Sequence, residues 1–229
     1  MELRVEYCKS GAHRARGLCV IIDVFRACSV LCYVASKKPN HIIISRDYDQ
    51  ITRLKEIYKD AILIGKNHDP LKMIFNTNNS PSEILATEIS NKTVVHFSEG
   101  GISGLIECKQ ADEVITGSFV NAKAVSEYIK SGQHDIVTFV CMGHLGTEFS
   151  EEDYLCAKYI ISLINNEIID PSVFTESLSK TMGKLFFGPN NEIPKEDFFY
   201  CLDYNRFDFV LKLGVSQDIR YLKKIYAYN

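Results

Sequence analysis

The feature that most constrains the fold is the stretch 19–29, where an apolar run leads into an acidic residue and then into a helix-compatible segment. The β-branched run Val20 to Ile22 closes on Asp23, and the segment Phe25 to Ser36 follows at once. This pattern predicts a buried strand that delivers a carboxylate to the start of a helix. Open α/β sheets bind ligands at such junctions. An isolated Asp there is also typical of a helix N-cap, so both interpretations stay open.

Three later junctions repeat this construction. Small and polar residues separate a strand from a helix at 98–101, 117–121 and 143–153. The alternation of strands and helices with short connections predicts a single domain over residues 1–229, a three-layer α/β/α fold with a mostly parallel or mixed central sheet. If the four strands are neighbours, four helix N-termini meet at one rim, which favours the binding of phosphate.

The remaining segments give weaker predictions. Residues 2–7 alternate and predict an edge strand, whereas the polar segment 8–17 predicts a loop. Residues 66–81 are rich in Asn, Asp and Pro and predict a long loop, of the kind that is functional or disordered. Residues 207–213 and 220–228 predict two closing strands.

Composition and charge exclude several classes of protein. The net charge of -3 comes from interspersed charges without a basic block, so nucleic acid is not an expected partner. No apolar run reaches the ~18 residues of a membrane span, and the charged N-terminus lacks a signal-peptide core, so we expect a cytoplasmic protein without a membrane partner. The eight cysteines form no Cys-x-x-Cys pair and the six histidines no His-x-x-x-His pair, which argues against disulfides and structural zinc.

The rim carries residues suited to phosphate and to a hard cation. Arg26 can clamp phosphate, and its place at a helix start is unfavourable for a cation unless it faces an anion or a carboxylate. Oxygen ligands of the type that Mg²⁺ prefers come from four acids, Asp23, Glu99, Glu152 and Asp153. The acids at 152 and 153 also fit a capping box begun by Ser150, and that alternative stays open.

Five motifs, in this order, resemble those of the 2-phosphosulfolactate phosphatases: residues 20–27, Asn79-Ser80-Pro81, residues 117–125, residues 140–143 and residues 149–157. The resemblance extends to the segment around Tyr200 and Cys201. It implies a three-layer α/β/α fold and a Mg²⁺-dependent hydrolysis of 2-phosphosulfolactate to 3-sulfolactate and phosphate, a step of coenzyme M synthesis. The attacking group is an activated water or, as an alternative, Asp23 itself.

The resemblance also implies roles for individual residues. Asp23, Glu152 and Asp153 match family acids and become the candidate Mg²⁺ ligands, and together with Arg26 they are the candidate catalytic residues. Arg26, Ser118 and Asn121 match family positions that could hold phosphate or sulfonate. Ser98, Gly100 and Lys66, which lie in segments that depart from the family pattern, complete the candidates for binding a small phosphorylated or sulfonated acid. Ser118 and Asn121 are also ordinary turn and cap residues, so a purely structural role stays open for them.

Departures from the family pattern keep two other functions open. Relatives usually show Gly-Glu-Arg where this chain has Gly65-Lys66-Asn67, an Asp where it has Asn76, and no acid where it has Glu99. One alternative is a catalytically impaired family member that binds a small anionic metabolite. Another is an enzyme for a different phosphorylated acid, with Lys66 as counter-charge. The sequence does not decide between a monomer and a homodimer.

Overall fold

Nine strands and nine α-helices account for most of the residues described by the computed structural model, which are 1–66, 74–188 and 193–227. The strands are β1 (Glu2–Tyr7), β2 (Leu18–Ile22), β3 (His41–Ile44), β4 (Ile62–Ile64), β5 (Thr93–His96), β6 (Glu113–Gly117), β7 (Ile136–Cys141), β8 (Phe209–Ser216) and β9 (Ile219–Tyr226). The helices are α1 (Cys8–Arg14), α2 (Ala27–Ser36), α3 (Tyr48–Ile57), α4 (Pro81–Ala86), α5 (Gly101–Glu107), α6 (Ala122–Ser131), α7 (Glu151–Ile164), α8 (Ser172–Lys180) and α9 (Glu196–Cys201). No helix within the described ranges is long and apolar enough to cross a bilayer.

The strands form one mixed sheet in the order β1-β7-β2-β6-β8-β9-β3-β5-β4. One parallel block consists of β1, β7, β2 and β6, and a second consists of β3, β5 and β4. The antiparallel hairpin β8-β9 lies between the blocks and pairs with β6 on one side and with β3 on the other. The predicted α/β class with a mixed central sheet is therefore confirmed, and so is the edge strand β1. The two strands predicted for residues 207–213 and 220–228 also exist, as β8 and β9, and they lie in the middle of the sheet.

The apolar run of β2 is explained by burial on both of its faces. Cys19 and Ile21 pack with residues of α1, α2 and α5 on one side of the sheet. Leu18, Val20 and Ile22 pack with residues of α6 and α7 on the other side. Because successive side chains of a strand point to opposite faces, a strand covered on both faces needs apolar residues at every position.

The predicted loop 8–17 is wrong, because residues Cys8–Arg14 form α1. The helix buries Gly11 and Ala12, and a Cβ at Gly11 would lie 2.9 Å from Cβ of Glu6. Its polar residues cover the exposed side, where Arg14 pairs with Glu6 and His13 pairs with Glu107. The polar residues of this segment thus form the exposed face of a helix. A segment of seven residues is too short for the helical spacing of its apolar residues to be distinguished from a loop.

Candidate active site

Asp23 connects the start of two helices. Its Oδ1 accepts a hydrogen bond from the backbone N–H of Ala27, the first residue of α2, at 3.0 Å. Its Oδ2 accepts from the backbone N–H of Gly101, the first residue of α5, at 2.6 Å. Asp23 is not the N-cap residue of α2, which is Arg26, but its carboxylate accepts from the first N–H of that helix and also joins the junction after β5 to the junction after β2.

Asp153 brings the start of α7 to the same place. Its Oδ1 accepts from the backbone N–H of Val24 at 2.8 Å, and its Oδ2 accepts from the backbone N–H of Gly143 at 2.8 Å. Both loops that follow β2 and β7 are thus fixed by one buried carboxylate. The capping-box alternative for residues 150–153 is wrong, because the Ser150 side chain makes no capping hydrogen bond.

Glu152 completes a cluster of three buried acids. Its side chain is 5% exposed, and its Oε2 has no hydrogen-bond partner among the residues that the structure describes. Burial raises the pKa of Glu152 to about 7, and the negative charge of Asp23 raises it as well. Burial also raises the pKa of Asp23 and Asp153, and for Asp153 the charges of Glu152 and Asp23 add to the effect. Burial, and after it the charge of the neighbouring acids, therefore disfavours the ionised form of Glu152 and Asp153.

Two adjacent pockets open onto this cluster, with volumes of about 210 Å³ and 180 Å³. Six residues line both of them: Asp23, Phe25, Arg26, Asn79, Gly143 and His144. The larger pocket is also lined by Lys66, Ser98, Glu99 and Gly100. The smaller one is also lined by Glu152, Asp153 and the apolar side chains of Met182, Leu185, Phe186 and Ile193. The arrangement is a cleft with cations, acids and an apolar wall.

Arg26 reaches the cleft from the start of α2. Its guanidinium is 17% exposed, and its Nη1 pairs with Oδ2 of Asp197 at 2.5 Å. Asp197 lies in α9 and its side chain is fully buried. The expectation that an arginine at this helix start faces a carboxylate or an anion is met by Asp197 on one side and the cleft on the other.

Most predicted site residues meet in this cleft. Asp23, Arg26, Glu152 and Asp153 line one or both pockets, and so do Ser98, Gly100 and Lys66. Glu99 also lines the larger pocket. Asn76 lines neither pocket. Its side chain is used instead to bind β4, where its Oδ1 accepts from the backbone N–H of Leu63 at 2.8 Å. Asn67, the other departure from the family pattern, lies outside the described residues.

Ser118 and Asn121 do not reach the cleft. Both are fully buried and line neither pocket. The Ser118 hydroxyl lies 2.7 Å from the hydroxyl of Ser29, and the Asn121 amide donates to the carbonyl of Phe209 at 3.2 Å. Ser118 and Asn121 also close a capping box around the 3₁₀ turn Phe119–Asn121. The structure therefore corrects their placement as phosphate-binding residues, since their polar atoms are used to build the junction after β6.

Three residues at the site were missed in the sequence. His144 follows Gly143, whose φ of +65° and closeness to the Glu148 carbonyl leave no room for a Cβ. Asn79 precedes α4, and its Oδ1 lies 2.9 Å from Nε2 of His96. Asp197 lies 171 positions from Arg26. The glycine before His144 was the one usable signal, because it marks a loop after a buried strand, and loops held by a rigid scaffold often carry functional residues.

The acid cluster suits Mg²⁺ in its donor type but is not a preformed metal cage. Within the described ranges, no three or more His, Cys, Asp or Glu side chains are placed to hold a metal ion together. Mg²⁺ needs only one or two carboxylates, because water and substrate phosphate supply its other ligands. Glu152 provides a buried oxygen without a hydrogen-bond partner among the described residues, and a bound cation would offset the neighbouring negative charge that, after burial, raises the pKa of Glu152 and Asp153. The residues present therefore fit such an ion.

Comparison with known proteins identifies the family. A family model described as 2-phosphosulpholactate phosphatase matches residues 6–229. A protein of Caldicellulosiruptor saccharolyticus named probable 2-phosphosulfolactate phosphatase is 32% identical over 207 residues, which cover 88% of this chain and 82% of that protein. A protein of Clostridium perfringens (strain SM101 / Type A) with the same name is 30% identical over 225 residues, covering 96% of this chain and 86% of that one. This chain therefore belongs to the 2-phosphosulfolactate phosphatase family and is a phosphoric monoester hydrolase of that family.

Proposed function

We propose that this protein is a Mg²⁺-dependent phosphatase that converts 2-phosphosulfolactate to 3-sulfolactate and phosphate. The observation that carries the proposal is the meeting of three buried carboxylates and Arg26 at one cleft, because Asp153 ties the loop of Asp23 to the start of α7. Phosphoryl transfer needs positive charge around the phosphoryl oxygens and a group that organises the attacking water. The cleft offers candidates for both requirements.

Each polar residue has a distinct task in this proposal. Arg26 donates N–H groups to the phosphoryl oxygens and neutralises charge that develops on them in the transition state. Glu152 and Asp23 would hold Mg²⁺, which supplies charge neutralisation for the phosphoryl group and lowers the pKa of a bound water. Asp153 keeps the loops of Val24 and Gly143 in place. Lys66 and Ser98 are the candidates for contacting the sulfonate or carboxylate of the substrate.

The structure favours water over Asp23 as the attacking group. Both oxygens of Asp23 accept backbone N–H groups, from Ala27 at 3.0 Å and from Gly101 at 2.6 Å. Hydrogen bonds to a carboxylate stabilise its charged form and lower its reactivity as a nucleophile. His144 lines both pockets. Because histidine is the side chain most often used as a general acid, His144 is the candidate that donates a proton to the departing alkoxide.

The test is phosphate release from 2-phosphosulfolactate, with Mg²⁺ and with chelator. We expect Asp23→Asn to lower kcat/KM at least about 100-fold, because the amide loses one acceptor and the negative charge. Asp47→Asn is the matched control, since Asp47 caps α3 through the backbone N–H groups of Asp49 and Gln50 and lies outside both pockets. Wild-type activity that is indifferent to chelator, or an Asp23→Asn variant with full activity, would contradict the proposal.

The rival function is the binding of a small anion without turnover. It is favoured by the fact that every carboxylate oxygen of Asp23 and Asp153 already accepts a backbone N–H, so the loops are ordered without a metal. A thermal-shift series with inorganic phosphate, a sulfonate and Mg²⁺ separates the two functions. Stabilisation by the anion alone, together with no phosphate release, would select the binder.

Gly100 offers a probe of the Asp23 position that removes no polar group from the cleft. A Cβ at residue 100 would lie 2.7 Å from Oδ2 of Asp23. We expect Gly100→Ala to displace this carboxylate and to lower kcat/KM about 10- to 100-fold, the scale of small misplacements in active sites. Gly188→Ala is the control, because a Cβ there meets nothing within 4 Å. Equal kinetics for both variants, measured by phosphate release, would argue that the Asp23 position is unimportant.

A further inference from the structure

Asp197 is a buried acid that the mechanism above does not use. Its side chain is fully buried, and it lines neither of the two pockets. Its Oδ2 pairs with Nη1 of Arg26 at 2.5 Å, and its Oδ1 accepts from the backbone N–H of Ser82 at 2.9 Å. One carboxylate therefore joins the arginine of the cleft to the first turn of α4.

One of the two groups that Asp197 binds, Arg26, lines the cleft, and the other, Ser82, follows a turn that lines it. Arg26 lines both pockets, and Asn79, in the turn that leads into α4, lines both as well. Arg26 is also the N-cap residue of α2, where the helix dipole disfavours a positive charge. A carboxylate behind the guanidinium offsets this cost, and its hydrogen bond to Nη1 restrains where the group lies, which leaves the other N–H donors free to face the cleft.

Aromatic contacts also hold this loop. The ring of Phe25 lies 4.9 Å from the ring of Phe186 and 5.8 Å from the ring of Phe198, measured between centroids. These contacts pack the residue before Arg26 against the 3₁₀ helix Met182–Phe186 and against α9. Because burying an ion pair costs desolvation energy that its attraction only roughly repays, net stability is a poor reason for its presence. Orientation of Arg26 is the better reason.

On the basis of the proposed phosphatase function, we infer that Asp197 is a positioning residue for the reaction. It does not touch the substrate. It acts through Arg26 by holding the guanidinium so that the remaining N–H donors face a phosphoryl group in the cleft.

A double-mutant cycle tests this inference. Asp197→Asn keeps the shape of the side chain and removes its charge, and we expect kcat/KM to fall about 10- to 100-fold with KM raised and kcat lowered. Arg26→Ala should lose about 100- to 1,000-fold, as expected when a donor to the transition state is removed. The double variant should lie within about threefold of Arg26→Ala, because a residue that acts only through Arg26 has nothing left to position. Losses that multiply in the double variant, or an Asp197→Asn variant with wild-type kcat/KM, would overturn the inference.

Two further variants separate positioning from folding. Glu113 lies at the end of β6 that faces away from the cleft, and its carboxylate is 20% exposed. Glu113→Gln removes its ion pair with Lys212, in which Oε2 and Nζ are 2.5 Å apart. It should lower the melting temperature and leave kcat/KM unchanged. Asp197→Glu keeps the buried charge and should retain more activity than Asp197→Asn. If Asp197→Asn does not fold, the same non-additivity with Arg26→Ala is required of Asp197→Glu, and multiplying losses there would equally overturn the inference.

Calorimetric titration with inorganic phosphate distinguishes failure of this inference from failure of the proposed function. Asp197→Asn and Arg26→Ala should each weaken phosphate binding, and their effects should again not multiply. A wild-type protein that binds phosphate in this pattern but hydrolyses no ester would refute the phosphatase proposal and support the positioning role. An active wild type whose kinetics and phosphate affinity are unchanged by Asp197→Asn would support the phosphatase proposal and refute the positioning role of Asp197.

Discussion

Glu152→Gln is expected to stabilise the metal-free protein by about 2 to 3 kcal/mol at pH 8 while it lowers phosphate release at least about 100-fold. The pKa of Glu152 is raised from 4.5 to about 7 by burial and by the charge of Asp23. A raised pKa in the folded state means that stability is complete below pH 4.5 and is lost as the pH rises through 7. The amide removes this penalty and also relieves Asp153, whose pKa is raised in part by Glu152.

The measurement is urea unfolding at pH 5 and pH 8 in the presence of chelator. The stability gained by Glu152→Gln should be large at pH 8 and nearly absent at pH 5. Glu151→Gln is the matched control in the same helical turn, because its carboxylate pairs with the hydroxyls of Ser177 and Thr181 outside both pockets. It should change stability little at either pH. A Glu152→Gln variant that is less stable than wild type at pH 8 would show that the cluster is not repulsive.

Acid should destabilise the protein through His96, by up to about 5 kcal/mol between pH 6.5 and pH 3. The side chain is fully buried, and burial lowers its pKa from 6.5 to about 3. A lowered pKa in the folded state means that the contribution of His96 to the free energy of unfolding is fully present above pH 6.5 and is lost as the pH falls. The reason is that the unfolded chain binds a proton at a pH where the folded chain does not. This trend opposes that of the acid cluster, so the two partly cancel in wild type between about pH 4.5 and 6.5.

Comparison with His96→Gln isolates this contribution, since the acid cluster is common to both proteins. Gln keeps an amide that can donate to Oδ1 of Asn79, the present partner of the His96 Nε2 at 2.9 Å. Relative to this variant, wild type should lose about 2 kcal/mol between pH 6.5 and pH 5 in urea unfolding. His41→Gln, at an exposed position at the start of β3, should show no such trend. A constant difference between wild type and His96→Gln across this range would mean that His96 titrates normally.

The sequence predicts the parts of the site that depend on local pattern. The uninterrupted apolar run of β2 requires a strand covered on both faces, and such a strand places Asp23 at the rim of the sheet. The same reasoning identified the junctions that carry Gly100 and Asp153, which meet at Asp23 and at the adjoining loop. It also placed Ser118 at the rim, where the structure instead buries it, because small polar residues at a junction serve binding and turn formation equally well.

The parts that could not be predicted depend on packing between distant segments. Nothing near Asp197 indicates that it pairs with Arg26, and nothing near Arg26 indicates where its carboxylate comes from. The position of β8 and β9 in the middle of the sheet could not be predicted either. The order of strands in a sheet depends on which faces must be covered and not on the order of the strands in the chain. A single domain over residues 1–229, a cytoplasmic location and the absence of nucleic-acid or membrane partners stay predictions.

The placement of the hairpin β8-β9 has a consequence for how the chain is made. These strands fill the middle of the sheet, yet they are the last of its strands to leave the ribosome. Until they emerge, β6 and β3 are open edges of two separate half-sheets, and unpaired edges of this kind readily recruit strands from other chains. A chain whose two half-sheets form before the hairpin is therefore exposed to aggregation at both edges, and pairing of the hairpin with β6 and β3 closes them together.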